Sequence, residues 1–366
     1  MPRSSARDAI GDLARRPFAP LQTHFLGNAT ANRSIIALVE QLKPDIVIVD
    51  MLRLGAMAQV LRSQFPEMPM MLELDDLLSL RYQRMLGYSS HDILGAYGRS
   101  LPPSAQMLAK TLPSMLLRVE QKLIAQAERR IPDLYDSVST VGLREARLLS
   151  DMLGDAVKIR DIPPIFKPVR ASACPSSAIR FIFIGDANYG PNATALRALD
   201  RIAGSVKAAL PEAAVVAFET IGTINPALNL THLKPLGFVD DLPRAIHGAT
   251  AMVAPVCIGS GIKLKVLDAA ASGVPIITSA IGVESLPLRP GAHYLHADCE
   301  TDYVQHLLSI VHGEMSPGRL QGMATNTIAA LSDACEEKCV FARFEGLVHA
   351  AIERRSRLKP ETRDAG

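Results

Sequence analysis

The chain has no tryptophan, and its aromatic residues make up only 5% of 366. No stretch interleaves aromatics with cations in the manner of a single-strand nucleic-acid platform, and no zinc-finger spacing occurs. Charge of one sign is missing too. The 39 Lys and Arg against 37 Asp and Glu leave +2, so nothing in the overall balance calls for a nucleic-acid partner. No apolar run reaches the roughly 18 residues of a membrane-spanning helix. The N-terminus carries Arg3, Arg7, Arg15 and Arg16 without an apolar segment behind them, so no secretory signal is expected and the protein reads as cytoplasmic. The five cysteines (Cys174, Cys257, Cys299, Cys335, Cys339) are odd in number and scattered. Cys335 and Cys339 stand four apart with no second ligand pair nearby, so reduced thiols are expected rather than disulfides or a zinc site.

What is present is globular: 48% hydrophobic and 21% charged residues. The length suits two domains of roughly 150 to 180 residues each. Short apolar runs at 45–50, 69–74, 137–141 and 157–162 alternate with helical stretches at 34–42, 104–130 and 144–153. Residues 163–177 are rich in Pro, Ser and Ala, lack an amphipathic period, and read as a linker. Alternation then resumes, with strands at 179–185, 213–218, 233–238, 251–255, 274–278 and 291–295 and helices at 192–210 and 242–247. Continuous apolar runs between helices are what buried parallel strands require. The expected fold class is α/β, with two doubly wound Rossmann-like domains. Ligands in such sheets sit past the carboxyl ends of strands, where Gly185, Gly237 and Gly259 fall.

Residues 259–278 concentrate the chemistry. An apolar run ends in the turn Gly259-Ser260-Gly261, and a helix is expected at once, with Lys263 and Lys265 in its first turn, Asp268 one turn later and Gly273 at its close. A helix start preceded by glycines offers unpaired backbone N–H groups and a partial positive charge, which suits a phosphate. Lys265 and Asp268 are three apart and share a face, a cation and an acceptor suited to a diphosphate beside a ribose hydroxyl. The same spacing also describes a surface helix with an ordinary ion pair. Residues two apart on a helix point about 200° from one another, so of the two lysines Lys265 is expected to face the phosphate.

Five blocks in order, Phe183-Ile184-Gly185 with Pro191-Asn192, Gly237-Phe238-Val239-Asp240-Asp241-Leu242, Val253-Ala254-Pro255, 259–275 and Gly282-Val283-Glu284-Ser285-Leu286, make the second half resemble the donor-binding domain of family 4 glycosyltransferases, retaining enzymes of the GT-B fold. The first half is more faintly similar to the acceptor domain of bacterial exopolysaccharide sugar transferases of that family, through Arg15-Arg16-Pro17-Phe18, 45–50, 72–82 and 120–130 ahead of 136–141. The resemblance implies an acceptor-side domain at 1–168, a linker at 169–178, a donor-binding domain at 179–335, and a C-terminal helix at 336–366 that packs back on the first domain. The likeness in the first half begins where relatives have already completed two strands and a glycine-rich loop, so that domain is expected to be abbreviated. A truncated reading frame, a divergent domain and a non-catalytic descendant remain open as explanations.

Carried residue by residue, the resemblance gives the ribose to Asp268, one methylene shorter than the usual Glu, and the diphosphate to Lys265, with Lys263 in the place of a second basic residue. A further acidic residue of the family falls on Ser260, which has no charge. Gly185 and Asn192 bound the loop where many members hold the diphosphate with an Arg and a Lys. Residues 185–192 contain neither, so compensation is expected from the two lysines and the amides of the Gly259, Ser260 and Gly261 turn. Phe238 and Val239 would frame the base, with Asp240 as cap of the following helix. Asp75 and Asp76 stand where the family often has a His-Asp pair lining the sugar, and Glu284 lies in a loop approaching the donor sugar; these three are the catalytic candidates. Neither metal nor cofactor is expected beyond the nucleotide-sugar co-substrate. The implied activity is transfer from a UDP- or GDP-sugar to a saccharide or lipid-linked acceptor, with retention, in polysaccharide synthesis. Peripheral inner-membrane contact would run through the basic N-terminus, Arg81 and Arg84. A non-catalytic nucleotide-sugar-binding protein acting with a partner is the alternative, and an epimerase or phosphorylase on the same fold is a third reading.

Overall fold

The computed structural model describes residues 19–25, 29–86, 113–169, 178–212 and 214–358. The N-terminal arginines, Cys174, the first residues of the expected helix at 104–130, and the linker apart from Val169 and Ala178 lie outside them. The chain divides into two compact units, 1–163 with 340–366, and 164–339.

In the first unit, β1 (Val47–Asp50), β2 (Met70–Leu74), β3 (Ser137–Thr140) and β4 (Lys158–Asp161) form a parallel sheet in that order. Register pairs Val47 with Met70, Met71 with Ser137, and Ser137 with Lys158. Parallel strands need crossovers, and α1 (Ala29–Leu42), α2 (Gly55–Gln64), α3 (Leu78–Met85), α4 (Pro113–Arg129), α5 (Ile131–Leu134) and α6 (Leu143–Leu153) surround them. The central strands are covered on both faces. Met70, Met71 and Leu72 are inaccessible, and all of β3 is buried. Among the described residues this sheet shows no reversal of strand order.

Asp136, just ahead of β3, is a buried carboxylate that accepts from the Met70 amide at 2.9 Å and from Arg62 at 2.8 Å. Arg354 (3.1 Å) and Arg355 (2.6 Å) of the C-terminal helix (Glu337–Arg357) complete the cluster. From Val340 onward that helix belongs to the first unit.

The second unit carries six parallel strands: β5 (Ile179–Ile184), β6 (Val216–Ile221), β7 (Lys234–Gly237), β8 (Ala251–Ala254), β9 (Ile276–Thr278) and β10 (Leu295–His296). Their spatial order is β7-β6-β5-β8-β9-β10. The chain winds outward from β5 to β7, returns to β8 and winds the other way, so the order reverses between β5 and β8. A crevice for ligands opens at such a reversal, beyond the carboxyl ends of the strands. Helices α7 (Gly190–Ala208), α8 (Leu242–Ile246), α9 (Leu264–Ala271), α10 (Glu300–Val311) and α11 (Pro317–Ala334) complete the unit. Phe181, Ile182, Phe183, Val253 and Val266 form the centre of its core.

Some boundaries differ from the sequence reading, and three of them for a clear physical reason. The second unit begins at Pro164, because Phe166 is buried in its core and Val169 donates to Ala271 O at 2.8 Å. Strand β6 runs three residues later than expected, since Glu219 is tolerated inside it by Arg180 at 2.8 Å and Lys234 at 3.3 Å. Gly291 turns with φ +74°, so β10 starts only at Leu295. Among the described residues Cys257, Cys299, Cys335 and Cys339 form no disulfide, and no helix is long and apolar enough to cross a membrane.

Candidate functional site

Strand β5 ends at Ile184, and Gly185 follows with no room for a side chain. A Cβ there would lie 2.7 Å from Nδ2 of Asn192. The neighbouring Gly222, at φ +129°, packs just as closely, since its Cβ would fall 2.3 Å from Gly185 O. These contacts press the start of α7 onto the strand end. Pro191 in the first turn is pre-set for the helix. Asn192 donates from Nδ2 to Asp186 O at 3.0 Å.

The second helix start arrives from β8. The turn at Gly259 (φ +134°) and Gly261 (φ +68°) uses backbone conformations that side chains disfavour. Helix α9 then opens at Leu264. Lys265, in its first turn, places Nζ 2.7 Å from Asn192 Oδ1 and 4.1 Å from the centre of the Phe183 ring. Two helix N-termini therefore meet through this lysine and this asparagine at the strand reversal. Burial, with a smaller contribution from Lys263, lowers the Lys265 pKa to about 7. Among the described residues no carboxylate pairs with it.

Lys263 departs from expectation. It is the N-cap of α9 with extended backbone, not a member of the first turn. Its ammonium folds back on the carbonyls of Gly261 (2.7 Å) and Ser260 (3.3 Å). The angular conflict between the two lysines is thus resolved by placing one outside the helix. Ser260 is buried. Asp268 does not pair with Lys265 despite the i,i+3 spacing, because the lysine turns to Asn192. Its carboxyl is half-buried with no hydrogen-bond partner among the described residues, and burial raises its pKa. A partnerless, part-buried acceptor one turn beyond a cation is chemically suited to a hydroxyl-bearing ligand.

Gly237 turns at φ +76° and leaves Phe238 84% exposed at the end of β7, while Val239 packs against the core. An aromatic this exposed beside a strand end is available to stack. The helix cap is Asp241 rather than Asp240, accepting from the Arg244 amide at 3.0 Å. Glu284 is half-buried in a turn beside Ser285, which is held at φ +70°. Gly282 is forced by the same turn, since its Cβ would fall on Thr278 Oγ1.

Asp75 and Asp76 follow β2 in the first unit and part company there. Asp76 is 5% exposed and ion-paired with Arg81 at 2.5 Å. Asp75 is exposed, and partial burial of its carboxyl together with Asp50 and Asp76 raises its pKa. Glu73 is raised in the same way, by burial and then by Asp50 and Asp75. Arg84 is drawn inward beside Glu145, and burial lowers its pKa. The sequence reading used Phe183 only as part of a motif block and Arg81 only as a membrane-facing cation, and gave neither its contact with Lys265 or Asp76. The only signal for Phe183 was an aromatic two residues from a strand end, and for Arg81 a cation five residues past the acid. Among the described residues no group of three His, Cys, Asp or Glu side chains is placed to hold a metal.

The fold is GT-B, mixed α/β with two Rossmann-like domains. Residues 165–312 match the family model described as Glycosyl transferases group 1. Among solved structures, a sucrose-phosphate synthase from Thermosynechococcus elongatus aligns with TM-score 0.63 at 16% identity, over 87% of this chain and 76% of that one. A UDP-forming α,α-trehalose-phosphate synthase from Burkholderia xenovorans gives 0.61 at 13%, over 87% and 77%. HepE of Anabaena, solved with UDP-glucose, gives 0.58 at 12%, over 87% and 82%. At these identities the likeness is one of fold. No curated protein matches the sequence.

Proposed function

We propose that this protein transfers a sugar from a UDP- or GDP-linked donor to a saccharide or lipid-linked acceptor, with retention at the anomeric carbon, in bacterial polysaccharide synthesis. The observation that carries this reading is the Lys265 ammonium, lodged where two helix N-termini meet and opposed by no carboxylate among the described residues. A diphosphate placed there meets a cation, helix-end amides and the backbone of the Gly259 to Gly261 turn. As the glycosidic bond breaks, negative charge grows on the leaving diphosphate, and preorganised positive groups lower that barrier. Asp268 would take a ribose hydroxyl, and Phe238 with the backbone at Val239 would frame the base. Donor-bearing structures such as that of HepE with UDP-glucose support the same choice of ligand.

A second reading, nucleotide-sugar binding without transfer, is favoured by one observation. Asp76, a catalytic candidate, is committed to Arg81. Calorimetry with UDP and GDP, alongside hydrolysis and transfer assays on UDP- and GDP-sugars, separates the two. Binding with turnover supports the transferase, binding without turnover supports the second reading, and no binding of either nucleotide removes both.

A further inference from the structure

A lysine side chain has four rotatable bonds, and an ammonium that must meet a diphosphate at one place gains from being held there beforehand. Around Lys265 the usual holding device, a carboxylate, is missing among the described residues. On its own helix Asp268 makes no ion pair with it, and Asp186 in the loop before α7 spends its carboxylate on Asn188, accepting from N at 2.9 Å and Nδ2 at 3.2 Å. Lys263 is turned to its own loop carbonyls. Strand β5 offers only the face of Phe183, and the first turn of α7 offers only Asn192.

We propose that Asn192 is the positioning residue of this site: its side-chain amide holds the Lys265 ammonium at the strand reversal and yields it to the diphosphate without neutralising it. This rests on the reading of Lys265 as the diphosphate cation. The constraint runs back through the chain. Gly185 lets Asn192 lie against the strand end, and the bond from Nδ2 to Asp186 O leaves Oδ1 facing the lysine. A neutral acceptor is the appropriate choice. A carboxylate would grip the ammonium harder, but would compete with the ligand for its charge. The loop that has neither Arg nor Lys thus acts on the phosphate indirectly, through a cation borne by another helix.

The test uses the full chain with Asn192→Ala, Asn192→Asp, Gly185→Ala and the double variant Gly185→Ala/Asn192→Ala. Binding of UDP and GDP is measured by calorimetry across pH, with thermal unfolding as the control for folding. Asn192→Ala should weaken binding about tenfold, the scale of one charge-assisted hydrogen bond. Gly185→Ala should do the same by displacing Asn192, yet add little in the Asn192→Ala background, where its clash partner is gone. In the parent, affinity should decline above about pH 7, where free Lys265 loses its proton. In Asn192→Asp that decline should move to higher pH, because a carboxylate keeps the lysine charged. A merely structural asparagine would lower thermal stability and leave the pH profile in place, and additive losses in the double variant would contradict the chain of constraint. If the parent binds neither nucleotide, the donor reading is what fails. The contact is then read separately by NMR titration of the Lys265 ammonium, and an unmoved titration in Asn192→Asp would overturn it.

Discussion

Asp76 and Arg81 form an ion pair at 2.5 Å with the carboxylate nearly inaccessible, while the adjacent Asp75 stays exposed. Successive side chains leaving a strand point in opposite directions, so one acid of the pair was bound to turn inward. The inward one found a guanidinium; the outward one stands among Asp50, Glu73 and Asp76, and the effect of Asp50 and Asp76 on it outranks that of Arg81 and Arg53.

The two aspartates should therefore separate on substitution. Asp76→Asn strands a partly buried arginine and should cost about 3 kcal/mol of stability, the scale for one half of a buried pair. Asp75→Asn should leave the fold intact, or strengthen it slightly near neutral pH. A carboxyl whose folded pKa is raised contributes stability that is fully present below the unfolded value and is lost as pH rises through the folded one. Urea unfolding of both variants beside a transfer assay reads the difference. Loss of activity at equal stability in Asp75→Asn marks it as the functional member, whereas unchanged activity there removes it from the candidates.

Asp268 offers a comparable contrast within the second unit. Burial raises its pKa without a partner to offset the cost. Asp268→Asn should raise the melting temperature of the free protein slightly, on the order of 1–2 °C. The same change should weaken UDP more than inorganic pyrophosphate, because only the nucleotide carries a ribose. Equal losses for both ligands would move Asp268 from the ribose to the phosphates.

Much of the frame was legible in the sequence, for definite reasons. Buried parallel strands announce themselves as unbroken apolar runs, and helix starts as Gly and Pro punctuation. Even so, the alternation of segments does not reveal spatial order, so the reversal at β5 and β8 emerged only from pairing. Lys263 was misplaced by one residue across a helix boundary, and that one residue decides whether its ammonium points out or folds back. Glu219 hid three residues of β6, since a charge inside a strand becomes intelligible only once Arg180 and Lys234 flank it. Long-range partners of this kind, Asn192 for Lys265 included, leave no local periodicity to read.

The cluster at Asp136 predicts a link between the C-terminal helix and the first unit. One buried carboxylate there meets three guanidinium groups, two of them from that helix. Asp136→Asn keeps the bond from the Met70 amide but leaves the arginines without their counter-charge, and should cost about 3–5 kcal/mol. Hydrogen exchange should then rise in Glu337–Arg357 and in the amides around Met70, with the second unit unaffected. Unchanged protection in that helix would show that its apolar face alone holds it.

Lys265 yields the sharpest dependence on pH, with a sign opposite to that of a lysine that gains an acidic partner. Its pKa falls from 10.5 to about 7 in the folded protein. Below about pH 7 the ammonium is charged in both states, and folding bears the whole cost of burying it. Between the two values the unfolded chain holds a proton that the folded chain lacks, so stability rises with pH across that window. Lys265→Met keeps the contact with Phe183 and removes the charge. Its advantage in urea midpoint over the parent should be largest near about pH 6 and shrink toward about pH 10. Nucleotide affinity should move the other way. Lys265→Met should lose roughly tenfold to a hundredfold in UDP or GDP binding at neutral pH, with little pH dependence left. The parent should take up close to one proton on binding in weakly alkaline buffer, seen by calorimetry in buffers of different ionisation enthalpy. Binding by Lys265→Met equal to the parent's, or no proton uptake in the parent, would place the phosphate cation elsewhere.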